Sequence, residues 1–182
     1  KLGSSFSKIK LIDENTIQAG SAALDKRISS FAKENCIGQL EFLSCIPGSI
    51  GGAVMMNSGC YGTDISKILS SIEVIDIENC SEKKIKRDEI KFFYRGVNLS
   101  NKFIITSVKL KGKSESKDII EKIQNEMILK KKTTQPSQIK TCGSTFKNLD
   151  LKKKAWELIK ETGCDNFKEG DAAISKKHCN FF

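Results

Sequence analysis

Three groups of residues have types and spacing that could do chemistry, and the first is the glycine segment, residues 45–62 (CIPGSIGGAVMMNSGCYG). Pro47 fixes its own φ, whereas Gly48, Gly51 and Gly52 lack a Cβ, so the backbone N–H groups can come close to a ligand. A helix beginning at residues 53–56 would add its positive dipole end to a phosphate site. The alternative is an ordinary turn between a strand and a helix. Residues 57–62 add a second bend with an amide and a phenol.

The second group surrounds Arg95, which follows Phe93 and Tyr94 and precedes Gly96. A guanidinium suits a planar carboxylate because its fork offers two parallel N–H donors. By itself the pattern also fits a surface arginine packed on an aromatic face.

The third group is residues 142–148 (CGSTFKN), in which Ser144 is the candidate for chemistry. A Gly-Ser pair is most often a turn. A hydrolase triad has little support, because there is no G-x-S-x-G pattern and His178, the sole histidine, is far along the chain.

Composition argues against several other classes of protein. The net charge of +9 invites a nucleic-acid interpretation, but the lysines are spread along the chain and no nucleic-acid motif accompanies them, so we expect no nucleic-acid partner. No apolar run reaches the ~20 residues of a membrane helix, so we expect no membrane partner. The seven cysteines form no C-x-x-C pair, and we interpret them as free thiols of a reducing cytoplasm. With one histidine, no metal site is predicted.

Hydrophobic periodicity predicts the elements that must position these residues. Strands are predicted over 9–11, 16–20, 72–77 and 103–111, and one or two helical turns over 65–69 beginning near Asp64. Helices are predicted after Ser21 as N-cap, from Lys117 to Lys131, and over 155–162 with Asp150 as cap and Gly163 as stop. The apolar stripes are predicted to face the core; their residues are Leu24, Ile28, Phe31 and Ala32 in the first helix, and Ile119, Ile120, Ile123 and Met127 in the second.

The short polar stretch Gly112 to Lys117 is predicted to separate two domains, residues 1–113 and 114–182. A loop broken by Pro136 is expected over 133–140, and a strand or loop over 172–182.

Several motifs in collinear order resemble the UDP-N-acetylenolpyruvoylglucosamine reductase family. They are IPGSIGGAV (46–54), MNSGCYG (56–62), FYR (93–95), QP (135–136), GSTFKN (143–148) and KHCNF (177–181). The resemblance implies an FAD-dependent oxidoreductase of peptidoglycan synthesis, in which NADPH drives the reduction of UDP-N-acetylglucosamine enolpyruvate to UDP-N-acetylmuramate. It also implies an α+β fold, the second lobe of a two-lobed FAD-binding (PCMH-like) domain followed by part of a smaller substrate domain.

The resemblance also implies roles for single residues. The cofactor-binding positions are Pro47, Gly48, Ser49, Gly51, Gly52, Asn57, Gly59 and Tyr61. Arg95 falls on the catalytic arginine that holds the substrate carboxylate, and Ser144 on the catalytic serine that donates a proton to the carbon beside it. Lys147 and Asn148 match positions that contact the UDP-sugar.

Two positions depart from the family pattern: Val97 stands where a serine is usual, and Leu149 where a proline is usual. The family's Gly-Ser-Asn flavin loop and its C-terminal catalytic glutamate are not among these 182 residues. We therefore expect this polypeptide alone to bind FAD weakly or not at all and to have negligible reductase activity. A non-catalytic remnant, or a flavin- or nucleotide-binding module of the same family, is the alternative function.

Overall fold

The structure is a computed structural model that describes residues 2–136, 141, 143–149 and 152–182. The chain forms two compact units, Lys1–Ile128 and Leu129–Phe182. Each unit has its own secondary structure and is described by itself.

The first unit is built mainly from antiparallel strands. Its strands are β1 (Ile9–Asp13), β2 (Thr16–Gly20), β3 (Ile37–Gly38), β4 (Gly59–Cys60), β5 (Thr63–Asp64), β6 (Leu69–Asp76), β7 (Ser81–Lys86), β8 (Phe92–Phe93), β9 (Gly96–Val97), β10 (Phe103–Lys111) and β11 (Lys113–Ser114). The α-helices are α1 (Asp25–Glu34), α2 (Ile50–Met55) and α3 (Lys117–Thr134), and the boundary between the units falls within α3. The second unit contains α4 (Ala155–Glu161), β12 (Lys168–Glu169) and β13 (Ala172–Ala173).

A five-stranded antiparallel sheet in the order β1-β2-β10-β6-β7 organises the first unit. The bounds of β2 and β10 are those predicted, whereas β6 begins at Leu69, three residues earlier than expected. Alternate residues of the central strands, such as Ile17, Ile72 and Val108, are buried in the core. On the other face, Gln18 Nε2 donates to Ser107 Oγ at 2.8 Å. The sheet and the helices confirm the α+β class.

Helix α1 packs on the core through Ile28 and Ala32, as its stripe predicts, but Leu24 is 53% exposed. The prediction that Ser21 caps this helix is wrong, because α1 begins at Asp25 with Leu24 in the N-cap position. Ser21 is instead buried, and its backbone pairs with two other segments: its N–H donates to Thr106 O, and its carbonyl accepts from Gly51 N. This tertiary pairing moves the start of the helix by one turn.

Helix α3 begins at Lys117 as predicted and runs three residues further, to Thr134. Ile120 and Gln124 are its buried residues, whereas Ile119 is 47% exposed, contrary to the expected apolar face. The Gln124 amide donates to Ser29 Oγ at 2.8 Å and to the Ser29 carbonyl at 3.1 Å, which joins α3 to α1. A buried polar side chain of α3 thus makes a hydrogen-bonded contact with α1, whereas the sequence predicted only an apolar buried face for this helix.

In the second unit, α4 ends where Gly163 adopts a left-handed conformation (φ 70°), as predicted for a helix stop. At its start, the carboxylate of Glu157 accepts from the N–H of Lys154 at 2.6 Å. The predicted cap, Asp150, lies outside the described residues, as do Cys142 and residues 137–140 of the predicted loop.

Six cysteines of the described part of the chain are free thiols. Within the same part, no helix is long and apolar enough to cross a membrane, and no cluster of three or more histidine, cysteine or acidic residues could hold a metal ion.

Candidate functional site

The glycine segment is held against residues 21–25 by a row of backbone hydrogen bonds. Asp25 N donates to Gly48 O at 3.1 Å, Ile50 N to Ala23 O at 2.9 Å, and Gly51 N to Ser21 O at 2.9 Å. These bonds use amides that could otherwise have faced a ligand. They do not involve the amides of Gly48 and Gly52, two exposed glycines on the open side of the segment.

The glycines of this segment serve different purposes. Gly48 has a φ of 140°, a conformation that L side chains rarely adopt. A Cβ on Gly51 would lie 2.8 Å from Ser21 Cβ and 3.1 Å from Ser21 O, so this glycine allows the close approach of two backbones. A Cβ on Gly52 would meet only Ser49 Oγ, at 3.8 Å. Gly52 therefore leaves room on the open side, where a ligand could approach.

Helix α2 begins at Ile50, three residues before the predicted start, so Gly51 and Gly52 lie inside the helix. The bonds from residues 21–23 position this first turn, and Ile50 and Val54 anchor it in the core. Glycine has a low helix propensity, so tertiary contacts rather than local preference fix this helix.

Asp25 lies behind the glycine segment and is completely buried. Neither of its carboxylate oxygens has a hydrogen-bond partner among the described residues, and burial raises its pKa from 3.8 to about 7. Sequence reasoning missed this residue. The signal was an acid at the start of α1, beside the apolar stripe, but helix N-termini favour exposed acids as well, so the pattern is ambiguous.

The second bend of the segment is a β-hairpin formed by β4 and β5. Tyr61 and Gly62 connect the strands with φ values of 54° and 85°, the pattern of a two-residue type I′ turn. Gly59 has no space for a side chain, since a Cβ there would lie 2.2 Å from Thr63 O. Burial raises the pKa of the Tyr61 phenol, and the neighbouring Cys45 and Cys60 add to the effect.

Beyond this hairpin the chain forms one 3-10 turn, Ile65–Lys67, with the Asp64 carboxylate accepting from Ser66 N. The predicted helical turn is therefore present, with Asp64 as its cap.

Asn57 connects the glycine segment to the loop that carries Arg95. Its Oδ1 accepts from Ser66 N at 3.1 Å, and its Nδ2 donates to Phe93 O at 3.4 Å. Both ends of the amide therefore bind within the protein. The contact of α2 with β9 supports the same arrangement, so the glycine segment and the hairpin β8–β9 lie side by side.

Arg95 occupies the turn of the hairpin β8–β9, is exposed and has a φ of 62°. Its guanidinium carbon lies 5.7 Å from the centre of the Tyr94 ring, the arginine-on-aromatic contact that the alternative interpretation expects. The contact leaves the guanidinium fork open to solvent. Val97, the departure from the family pattern, packs against the core from β9.

In the second unit, the residues predicted to donate a proton and to contact the UDP-sugar share one loop, residues 143–149. Gly143 is left-handed (φ 84°), and Ser144 and Lys147 are exposed. Asn148 Oδ1 accepts from Ala155 N at 2.9 Å and so caps the first turn of α4. Leu149, which stands where proline is usual, is 89% exposed.

The predicted site residues are thus divided between the two units. The structure brings the glycine segment and Arg95 together in the first unit, and it brings Ser144, Lys147 and Asn148 together in the second.

Comparisons with known proteins find a different family profile in each unit. The family profile described as "FAD binding domain" matches residues 1–81, so the first unit is of the FAD-binding-domain class. The profile described as "UDP-N-acetylenolpyruvoylglucosamine reductase, C-terminal domain" matches residues 135–182. In both units the chain therefore resembles the UDP-N-acetylenolpyruvoylglucosamine reductase family.

Individual relatives match along the whole chain. The UDP-N-acetylenolpyruvoylglucosamine reductases of Pelagibacter ubique and of Wolbachia pipientis subsp. Culex pipiens are 45% and 42% identical to it, over 100% of this chain and 61% of each relative. The crystal structure of the reductase from Thermus caldophilus superposes with a TM-score of 0.89 at 31% identity, over 100% of this chain and 65% of that one. The chain therefore spans about three fifths of the length of its curated relatives.

Proposed function

We propose that this chain is part of an FAD-dependent reductase that uses NADPH to reduce UDP-N-acetylglucosamine enolpyruvate to UDP-N-acetylmuramate. The observation that carries the proposal is the contact between the glycine segment and the Arg95 hairpin through Asn57. This contact joins a backbone suited to a diphosphate with a guanidinium suited to a carboxylate, in a chain whose relatives bear the name of this reductase.

The glycine segment fits FAD on its open side. The backbones of Gly48 and Gly52 are exposed, and a side chain at Gly52 would fill the space in front of them. We assign the diphosphate to these amides and to Ser49, with Pro47 and Gly51 fixing the backbone, and with Asn57, Gly59 and Tyr61 forming the second bend. When bound, FAD supplies the hydride that the alkene carbon receives, and NADPH supplies it to FAD.

Arg95 is proposed to hold the carboxylate of the enolpyruvyl group. A guanidinium donates two parallel hydrogen bonds to a carboxylate, and it stabilises the negative charge that develops when hydride adds to the far alkene carbon. Its exposed position on a hairpin turn, with one face against Tyr94, leaves the donating edge available.

Ser144 is proposed to donate its hydroxyl proton to the carbon beside the carboxylate. A hydroxyl is a weak acid, yet it suffices when the acceptor is a strongly basic, enolate-like carbon held against it. Lys147 and Asn148 are assigned to the UDP-sugar, the ammonium to phosphate and the amide to polar groups. Asn148 Oδ1 also accepts from Ala155 N, which fixes this side chain at the start of α4.

Two further proposals concern the domain boundary and the location of the protein. We assign residues 1–113 to the FAD-binding domain and 114–182 to the substrate domain. We also place the protein in the cytoplasm, where free thiols such as those of its six described cysteines persist.

The test is NADPH oxidation by the full-length protein carrying this chain, with and without UDP-N-acetylglucosamine enolpyruvate, together with flavin absorbance of the purified protein. We expect turnover that depends on this substrate and that falls at least a hundredfold in Ser144→Ala. Bound flavin without turnover would favour the alternative, a non-catalytic flavin-binding module. Absence of both would refute the proposal.

A further inference from the structure

The loop that carries Ser144 is tied to one buried side chain from the end of the chain, Asn180. Its Oδ1 accepts from Phe146 N at 2.9 Å, and its Nδ2 donates to Phe146 O at 2.9 Å. The carbonyl of the same asparagine accepts from Thr145 N at 2.9 Å. One residue therefore binds three polar groups of the loop backbone in the two residues directly after Ser144.

The geometry leaves only one orientation of this amide. An N–H group faces one end and a carbonyl faces the other, so exchanging the oxygen and nitrogen of Asn180 would break both bonds. Asn180 is 4% exposed, and a buried amide left without partners is costly. The pair of bonds between the Asn180 amide and the Phe146 backbone resembles the pairing of two β-strands. The described residues of this loop belong to neither a helix nor a strand.

Asn180 is itself held in place by neighbouring contacts. Its own N–H donates to His178 Nδ1 at 3.3 Å, and Phe181 N donates to His178 O at 3.0 Å, which closes a turn over residues 178–181. The Cys179 thiol donates to Trp156 O at 2.9 Å and joins this turn to α4. The loop that carries Ser144 is thereby connected to a helix through Asn180.

We propose that Asn180 is a positioning residue that fixes the Ser144 hydroxyl for proton donation by clamping the backbone of Thr145 and Phe146. The proposal rests on the proposed function, because Ser144 must be the donor for its placement to affect turnover. Asn180 does not contact substrate in this scheme. It acts by restricting the loop, and an error of about 1 Å in the placement of a catalytic group can cost about a hundredfold in rate.

The experiment uses the full-length protein and follows flavin absorbance in a stopped-flow instrument, which separates reduction by NADPH from reoxidation by the enolpyruvyl substrate. Asn180→Leu removes both side-chain bonds, and Asn180→Asp keeps the shape and the acceptor but loses the donor to Phe146 O. The control is Asn166→Leu, at an exposed asparagine of the same unit. We expect reoxidation at saturating substrate to slow about ten- to a hundredfold in both Asn180 variants, with flavin reduction unchanged and the control normal.

Two further measurements distinguish failure of this inference from failure of the proposed function. Amide hydrogen exchange should accelerate at Thr145 and Phe146 in the Asn180 variants whether or not Ser144 is the donor. In a double-mutant cycle, adding Asn180→Leu to Ser144→Ala should slow reoxidation no further. Unchanged exchange at Phe146 would overturn the clamp, and additive losses in the cycle would overturn its action through Ser144. A normal rate in Ser144→Ala alone would refute the proposed donor instead.

Discussion

At the scale of single residues, Asp25 is the strongest departure from what its type leads one to expect. A carboxylate without partners in a fully buried position prefers its protonated form, which is why burial raises the pKa to about 7. The folded protein therefore keeps a proton that the unfolded chain releases near pH 3.8. Since the folded state binds more protons between these values, its stability falls as pH rises from about 4 to about 7 and is level above that.

Asp25→Asn should remove the decrease in stability that accompanies deprotonation of this carboxylate. The pKa difference of about three units corresponds to about 4 kcal/mol. The free energy of unfolding of the variant should therefore exceed that of the wild type by up to this amount at pH 8 and equal it near pH 4. Urea unfolding at the two pH values measures the difference, with the exposed Asp88→Asn as control. A gap between variant and wild type that does not grow with pH would contradict the assignment.

Arg95 and Arg87 form a matched pair for the proposed catalytic role. Arg87 Nε donates to Ser66 O at 2.7 Å, a second nitrogen donates to Ile90 O at 3.1 Å, and its guanidinium lies over the Phe92 ring. Arg87→Lys should therefore cost about 2 kcal/mol in stability, because a lysine cannot make both bonds.

Arg95→Lys should leave stability within about 0.5 kcal/mol, since the residue is exposed, and should lower kcat about a hundredfold by removing the two-pronged carboxylate contact. Thermal unfolding and substrate-dependent NADPH oxidation measure the two effects. If Arg95→Lys lowers stability as Arg87→Lys does and leaves kcat of the folded protein unchanged, Arg95 has only a structural role.

At the scale of elements, the local sequence pattern correctly predicted the segments whose structure depends mainly on local preferences. The strands β2 and β10 have the predicted bounds because their side chains alternate between a core and a polar face. Gly163 stops α4 because a residue free to adopt positive φ is needed there. Local preferences were enough in these cases.

Errors in the predicted elements arose where distant segments pair. Ser21 resembles an N-cap, but its backbone binds Gly51 and Thr106, and α1 begins one turn later. Likewise Gln124 occupies a contact expected to be apolar because Ser29 lies opposite it. For the site, residue types indicated the glycine segment, Arg95 and Ser144. The burial of Asp25 and the bonds of Asn180 instead depend on distant segments that no local pattern reveals.

Substitutions at Gly51 and Gly52 test the packed side and the open side of the glycine segment separately. Gly51→Ala places a Cβ 2.8 Å from Ser21 Cβ, so it should destabilise the protein by about 1–3 kcal/mol and loosen the segment. Gly52→Ala meets only Ser49 Oγ at 3.8 Å, and alanine in a helix is favoured by about 0.5–1 kcal/mol over glycine.

We expect Gly52→Ala to retain or gain stability and yet to bind FAD at least tenfold more weakly, because the new methyl group lies on the open side of the segment. Flavin fluorescence titration of the full-length protein, beside thermal unfolding, measures both quantities. Normal FAD affinity in a stable Gly52→Ala protein would show that the cofactor does not approach this face.

At the scale of the whole molecule, each unit contains an ionisable group, Asp25 in the first and the half-buried His178 in the second, and the two respond to pH in opposite directions. In the second unit, burial lowers the pKa of His178 from 6.5, and its ring packs at 4.8 Å from that of Phe181. The neutral ring accepts a hydrogen bond at Nδ1 from Asn180 N, which a protonated ring cannot do.

The folded second unit therefore disfavours a proton that the unfolded chain accepts, and its free energy of unfolding decreases as pH falls below 6.5. When the pH is lowered from 8 to 5.5, amide hydrogen exchange, corrected for its intrinsic pH dependence, should show weaker protection around residues 145–146 and 178–181. It should show stronger protection over residues 21–54, where Asp25 regains its proton. His178→Gln should abolish the first response only, and Asp25→Asn the second only. A common direction in both units, or one substitution that abolishes both responses, would mean that a shared titration outweighs these two groups.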